Sequence, residues 1–91
     1  MSEPIRRRVV AHGQVQGVFF RDSCRSEAEG RGLAGWVTNR SDGAVEAVFE
    51  GDPEDVEALV TWCRDGPRRA DVEDIEVSEE PPEGLSGFDV R

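Results

Sequence analysis

The sequence contains no lysine. All eleven of its basic residues are arginine, set against twenty acidic residues, for a formal net charge of −9. A surface this acidic repels phosphate backbones and anionic headgroups, so neither nucleic acid nor a membrane is expected as a partner. The missing lysine has two readings. High genomic GC content favours arginine by itself; acid excess without lysine also fits a protein built for a salty cytoplasm, where carboxylates hold water and salt screens their repulsion. Cysteine is scarce. Cys24 and Cys63 are too few and too far apart for a disulfide scaffold or a zinc site. They read either as two small helix residues facing a core or as one intramolecular disulfide. Histidine occurs once, at His12, and neither H-x-x-x-H, D-x-D nor C-x-x-C spacing is present, so no metal is expected. Long apolar runs are missing too. The basic stretch Met1 to Arg8 (MSEPIRRR) leads into nothing long enough for a signal peptide or a membrane span, which predicts a soluble, cytoplasmic protein.

What is present fits one domain over residues 1–91, with a core that buries about 60–65% of the unfolded chain's surface. Ile5 to His12 (IRRRVVAH) reads as a strand, and GQVQGV as the loop after it. Phe20, Cys24 and Ala28 then recur at helical spacing until Gly30 and Gly32. Leu33 to Arg40 is a second strand, SDG a hairpin turn, and Ala44 to Glu50 (AVEAVFE) a third strand. Its alternation puts Val45, Ala47 and Phe49 on one face and Glu46 and Glu50 on the other. Asp52 and Pro53 start a second helix whose Val56, Leu59, Val60 and Cys63 form an apolar stripe, and Gly66-Pro67 ends it. Asp71 to Ser78 is a fourth strand, EEPPEG a loop, and Gly87 to Arg91 a short fifth strand. The order β-α-β-β-α-β predicts an α+β ferredoxin-like sandwich: an antiparallel sheet with two helices on one face, the other face partly open.

The loop Gly13 to Gly17 runs into a helix start. Such a glycine loop has two readings. It is a plain tight turn, or a concavity of N–H groups that binds an anion with Arg21 as a bidentate clamp. The wider pattern is more specific. Gly13, Val15, Gln16, Gly17, Val18, Phe20 and Arg21 (G-x-V-Q-G-V-x-F-R) resemble the signature of the acylphosphatase family, and Gly35-Trp36-Val37-Thr38-Asn39 is similar to its G-W-V-x-N segment. The resemblance covers essentially the whole chain. It implies metal-free hydrolysis of acyl phosphates to a carboxylate and inorganic phosphate, with no cofactor. It further implies that Arg21 and the N–H groups of Val15, Gln16, Gly17, Val18, Phe19 and Phe20 hold the phosphoryl group, and that Asn39 orients the attacking water. The expected partner is therefore a small acyl phosphate, and the expected state a monomer. A non-catalytic anion-binding module on the same fold is the rival reading.

The remaining candidates have plainer roles. His12 is a strand residue; Trp36 and Trp62 pack at the core or its margin. The Arg6-Arg7-Arg8 run reads as a solvated strand edge, and Asp42 and the EEPPEG carboxylates have no partners at useful spacing.

Overall fold

A computed structural model describes residues 3–91; Met1 and Ser2, the start of the basic leading stretch, lie outside it. The elements are β1 (Ile5–Gln14), α1 (Phe20–Gly30), β2 (Ala34–Asn39), β3 (Val45–Gly51), α2 (Pro53–Asp65), β4 (Asp71–Glu80) and β5 (Phe88–Val90). The sheet order is β4-β1-β3-β2-β5. This is the expected ferredoxin-like arrangement. The four long strands pair antiparallel, but β5 runs parallel to β2, so the sheet as a whole is mixed. Residues 81–87 carry the chain from one sheet edge to the other, and a strand reached by a crossing segment rather than a hairpin is free to run parallel.

Alternation fixes the core. Val9 and Ala11 of β1, Val37 of β2 and Val45, Ala47 and Phe49 of β3 point to one face. There they meet Phe20, Cys24 and Ala28 of α1 and Val56, Leu59, Val60 and Cys63 of α2 in a single cluster. Both helices therefore cover the same face. α2 begins as its sequence dictates, with the Asp52 carboxylate accepting from the Glu54 N–H at 3.0 Å and Pro53 following. Cys24 and Cys63 are free and buried in this cluster, and the neighbouring Cys63 thiol, then burial, pushes the Cys24 thiol well up from its ordinary value. Trp62 packs edge-on against Phe20, with ring centres 5.3 Å apart.

The opposite face corrects the reading of the arginine run. β1 lies between β4 and β3, not at an edge, and Arg6 is 3% exposed. The β1–β4 register sets Arg6 against Glu80, Arg7 against Glu79 and Arg8 against Ser78, which extends β4 through Glu79 and Glu80. Arg6 pairs with Glu80 at 2.9 Å and Glu50 at 3.5 Å, and Arg8 with Glu80 at 2.6 Å and with Glu46. Trp36 has two guanidinium groups within cation–π distance, those of Arg8 and Arg91, at 5.4 and 4.8 Å from its ring centre. The Glu50 carboxylate, 5% exposed, accepts the N–H groups of Glu83, Gly84 and Leu85 at 2.8–2.9 Å. That one side chain ties down the segment that crosses from β4 to β5. Burial would raise its pKa, but those three N–H groups and Arg6 hold it below the ordinary carboxylate range.

Candidate functional site

One end of the sheet gathers the C-terminal ends of β1, β2 and β5 with the N-terminus of α1. Register explains the meeting. Val45, at the start of β3, pairs with Ala11 on one side and Asn39 on the other. Asn39 thus stands two strand spacings, about 10 Å, from β1. The chain between β1 and α1 crosses part of that gap and reverses. Its two glycines do different jobs. Gly13, at φ 120°, sits where the β1–β4 register shifts, and a Cβ there would lie 2.3 Å from the carbonyl oxygen of Asp71. Gly17 has open space around it but a φ of 74°, which glycine adopts without steric cost. Gly17 shapes the loop; Gly13 belongs to strand packing.

Phe19 follows at φ 63°, ψ 25°, alone among the described non-glycine residues in having a positive φ. A bulky side chain in that conformation costs about 1–3 kcal/mol. Phe19 is also the N-cap residue, just before α1, and it supplies no capping hydrogen bond, whereas α2 is capped by Asp52. The first N–H groups of α1 are therefore left free, carrying the positive end of the helix dipole. Among the described residues, the N–H groups of Gln16 to Phe19 meet no acceptor either. An oxygen-rich anion satisfies such donors without a further cation.

A cleft of about 350 Å³ opens here. It brings Arg21 and Asn39 together with Val15, Gly17, Phe19 and Phe20 of the loop, and Asp22 and Val90 complete its lining. Gln16 and Val18 do not line it. The Gln16 amide donates to the carbonyls of Arg40 and Ala44 at 2.7 and 3.0 Å, which latches the loop onto the β2–β3 hairpin. Val18 packs against the core. Arg21 donates from Nη1 to the Arg91 carbonyl at 3.0 Å, and that carbonyl also accepts from the Thr38 hydroxyl. The Arg91 N–H in turn donates to Val37, so the continuation of β5 fixes the orientation of the guanidinium.

Asn39 is exposed, and its side chain makes no hydrogen bond among the described residues. The hairpin turn is instead held by Asp42, whose carboxylate accepts the Ala44 N–H at 3.0 Å. That bond, aided by Arg40, holds the Asp42 carboxyl below its ordinary value. His12 lies outside the cleft, paired with Glu76 at 2.7 Å. Sequence reasoning missed Asp22, Val90 and Arg91. The signal was present for Val90 and Arg91, since GFDVR is in phase as a strand, but which strand it would join was not legible.

Free N–H donors, one oriented guanidinium and one unengaged amide thus meet in one cleft, a set of groups able to hydrogen-bond an oxygen-rich anion. The sequence model of the family described as Acylphosphatase matches residues 7–90. The chain belongs to the acylphosphatase family. Its reaction is the hydrolysis of acyl phosphates. It is 58% identical over 87 residues to an acylphosphatase of Rubrobacter xylanophilus, covering 94% of this chain and 79% of that one. To an acylphosphatase of Haloarcula marismortui it is 52% identical, over 94% of each chain. Among solved structures, an acylphosphatase from Coxiella burnetii superposes with a TM-score of 0.92 at 41% identity, covering 97% of this chain and 93% of that one. Among the described residues, no helix is long and apolar enough to cross a membrane, and no cluster of three or more His, Cys, Asp or Glu side chains is arranged to hold a metal ion.

Proposed function

We propose that the uncapped start of α1 and the loop before it, with Arg21, grip the phosphoryl group of an acyl phosphate, and that Asn39 positions the water that attacks phosphorus. The observation that carries this reading is the cleft itself: it joins Arg21, Asn39 and free N–H donors in one small space. The chemistry needs little more. The leaving carboxylate has a conjugate-acid pKa of about 4–5, so it departs without a general acid. Phosphoryl transfer from it depends on positioning and on charge stabilisation, which N–H donors and a guanidinium supply without a metal. A neutral amide suits the water site because a carboxylate there would repel the incoming dianion. Asn39 is free for that work because Asp42 holds the turn.

In the same reading the chain acts as one domain, as a monomer in the cytoplasm, and without a nucleic-acid partner. Its net charge of −9 repels phosphate backbones, and among the described residues the exposed large apolar side chains, Phe19, Val77 and Leu85, lie apart in the chain, in the loop before α1, on β4 and in the segment that crosses to β5.

Asn39 offers the test. Asn39→Ala is expected to leave inhibition by inorganic phosphate nearly intact while cutting kcat by roughly 10²–10³, the scale of one lost transition-state donor. Asn39→Asp is expected to be no better. Reduced stability with near-normal kcat in both variants would make Asn39 a turn residue instead.

A further inference from the structure

A protein with a net charge of −9 has to admit acyl phosphates, which are dianions. Its field repels them, and Asp22 adds a carboxylate to the lining of the cleft itself. The placing of the arginines bears on this. Arg6, Arg7, Arg8, Arg25, Arg31 and Arg40 sit in ion pairs with carboxylates. Among the described residues, Arg21, Arg64, Arg68, Arg69 and Arg91 have no carboxylate within ion-pair distance. Two of these stand at one place. Arg21 lines the cleft, and the Arg69 guanidinium carbon is 6.0 Å from the ring centre of Phe19, which lines it too. Local structure sets Arg69 there. Residues 67–70 form a tight turn closed by the Ala70 N–H donating to the Pro67 carbonyl at 2.9 Å, with Arg68 and Arg69 at its centre. Gly66, just before the turn, approaches the Phe20 ring so closely that a Cβ would sit 2.8 Å from it. The turn is thus docked on the start of α1, Gly66 against Phe20 and Arg69 near Phe19, at the outer limit of a cation–π contact. Arg69 is exposed, so its charge is open to an incoming anion. Adding the reach of a phenylalanine side chain to the 6.0 Å puts that charge within about 11 Å of the Phe19 N–H.

We propose that Arg69 steers the acyl phosphate dianion into the cleft, acting on binding through its charge and touching none of the reacting atoms. The proposal rests on the reading that Arg21 and the loop hold the phosphoryl group. Arg69 offsets, at the cleft, the repulsion of the acidic surface and of Asp22. Through water at low salt, one unit charge about 11 Å away raises the local concentration of a dianion about 2- to 4-fold. The attraction is the same in the ground state and in the transition state. It therefore acts on KM and leaves kcat alone.

The test measures kcat and KM for acetyl phosphate, and inhibition by inorganic phosphate, between about 0.01 and 1 M chloride. Sucrose, an uncharged stabiliser, holds the fold where salt is low. The unaltered protein is compared with Arg69→Gln, Arg69→Glu, Arg69→Lys and Arg31→Gln. At the lowest salt, Arg69→Gln is expected to raise KM and the phosphate inhibition constant about 2- to 4-fold, with kcat unchanged. Arg69→Glu changes the charge by two and should raise both about 4- to 15-fold. These differences should vanish near 1 M, where the screening length is about 3 Å. Arg69→Lys should match the unaltered protein, because steering needs a charge and not a planar fork. Arg31→Gln removes the same charge from the far end of α1, about 16 Å along the helix axis, and should have the smaller effect. An unchanged KM in Arg69→Glu, or a difference that survives 1 M salt, would overturn the proposal. So would a fall in kcat, a lysine variant that behaves like the glutamine one, or an equal effect of Arg31→Gln. Failure of the underlying phosphate reading looks different: inorganic phosphate would then not compete with acetyl phosphate in the unaltered protein.

Discussion

Replacing Glu50 by glutamine keeps the side chain's shape and removes its charge from beneath the crossing segment. Glu50 accepts three successive N–H groups, from Glu83, Gly84 and Leu85, and faces the buried Arg6. A glutamine keeps one acceptor oxygen and turns an NH₂ group toward backbone donors. At least one N–H then loses its partner, at about 1–3 kcal/mol, and the others lose their charge assistance. Arg6 keeps Glu80 at 2.9 Å and Glu83 at 3.4 Å, so the penalty stays below the full 3–5 kcal/mol or so of an orphaned buried charge. The expected loss is about 2–4 kcal/mol, a large part of the roughly 5–14 kcal/mol available to a domain of this size. At about 4–8 °C per kcal/mol, Tm should fall by roughly 8–32 °C in a thermal melt. The pH dependence adds a second signature. The Glu50 and Glu80 carboxyls are both held below their ordinary value of 4.5. Their stabilisation is therefore complete above that value and disappears as pH falls through the lower folded-state values. The variant should show a shallower loss of stability on the acid side. A Tm within about 3 °C of the unaltered protein at neutral pH, below the shift for 1 kcal/mol, would refute the assignment of Glu50 as the tie of this segment.

Two further expectations follow from the same physics. Gly13→Ala should lower stability by about 1–3 kcal/mol or more in urea unfolding, because its Cβ meets the Asp71 carbonyl and its φ is unsuited to alanine; a neutral result would move the constraint elsewhere. If the net charge of −9 is an adaptation to salt, Tm should climb steadily from low to molar chloride. A flat curve above roughly 0.2 M, where long-range screening is nearly complete, would leave genomic composition as the account of the arginines.

The parts of this molecule that were legible in the sequence are those that local chemistry decides. The alternation of AVEAVFE marked β3 and its buried face, and Asp52-Pro53 with the Val56, Leu59, Val60 and Cys63 stripe marked α2. Arg21 and Asn39 were named from motif residues, and the fold sets them in one cleft. What stayed hidden depends on strand order. Arg6, Arg7 and Arg8 look like solvated charges until β1 is placed between two acid-bearing neighbours. Glu79 and Glu80 look like loop until the arginines opposite them extend the ladder. Glu50 alternates outward as predicted, yet it is buried by a segment that alternation along β3 says nothing about. The positive φ of Phe19 breaks its own residue preference, which is why the residue type gave no warning of it.

The phosphate grip by Arg21 is the centre of the account, and substitution at that position tests it most directly. With the fold checked by thermal melting, kcat/KM for an acyl phosphate and inhibition by inorganic phosphate are measured in Arg21→Ala and Arg21→Lys. Arg21→Ala is expected to lose activity on the order of 10³-fold or more and to lose phosphate inhibition with it. Arg21→Lys should recover little, because an ammonium cannot reproduce a two-pronged guanidinium contact that is already oriented by Arg91. Near-full activity and unchanged phosphate inhibition in the folded lysine variant would contradict the account.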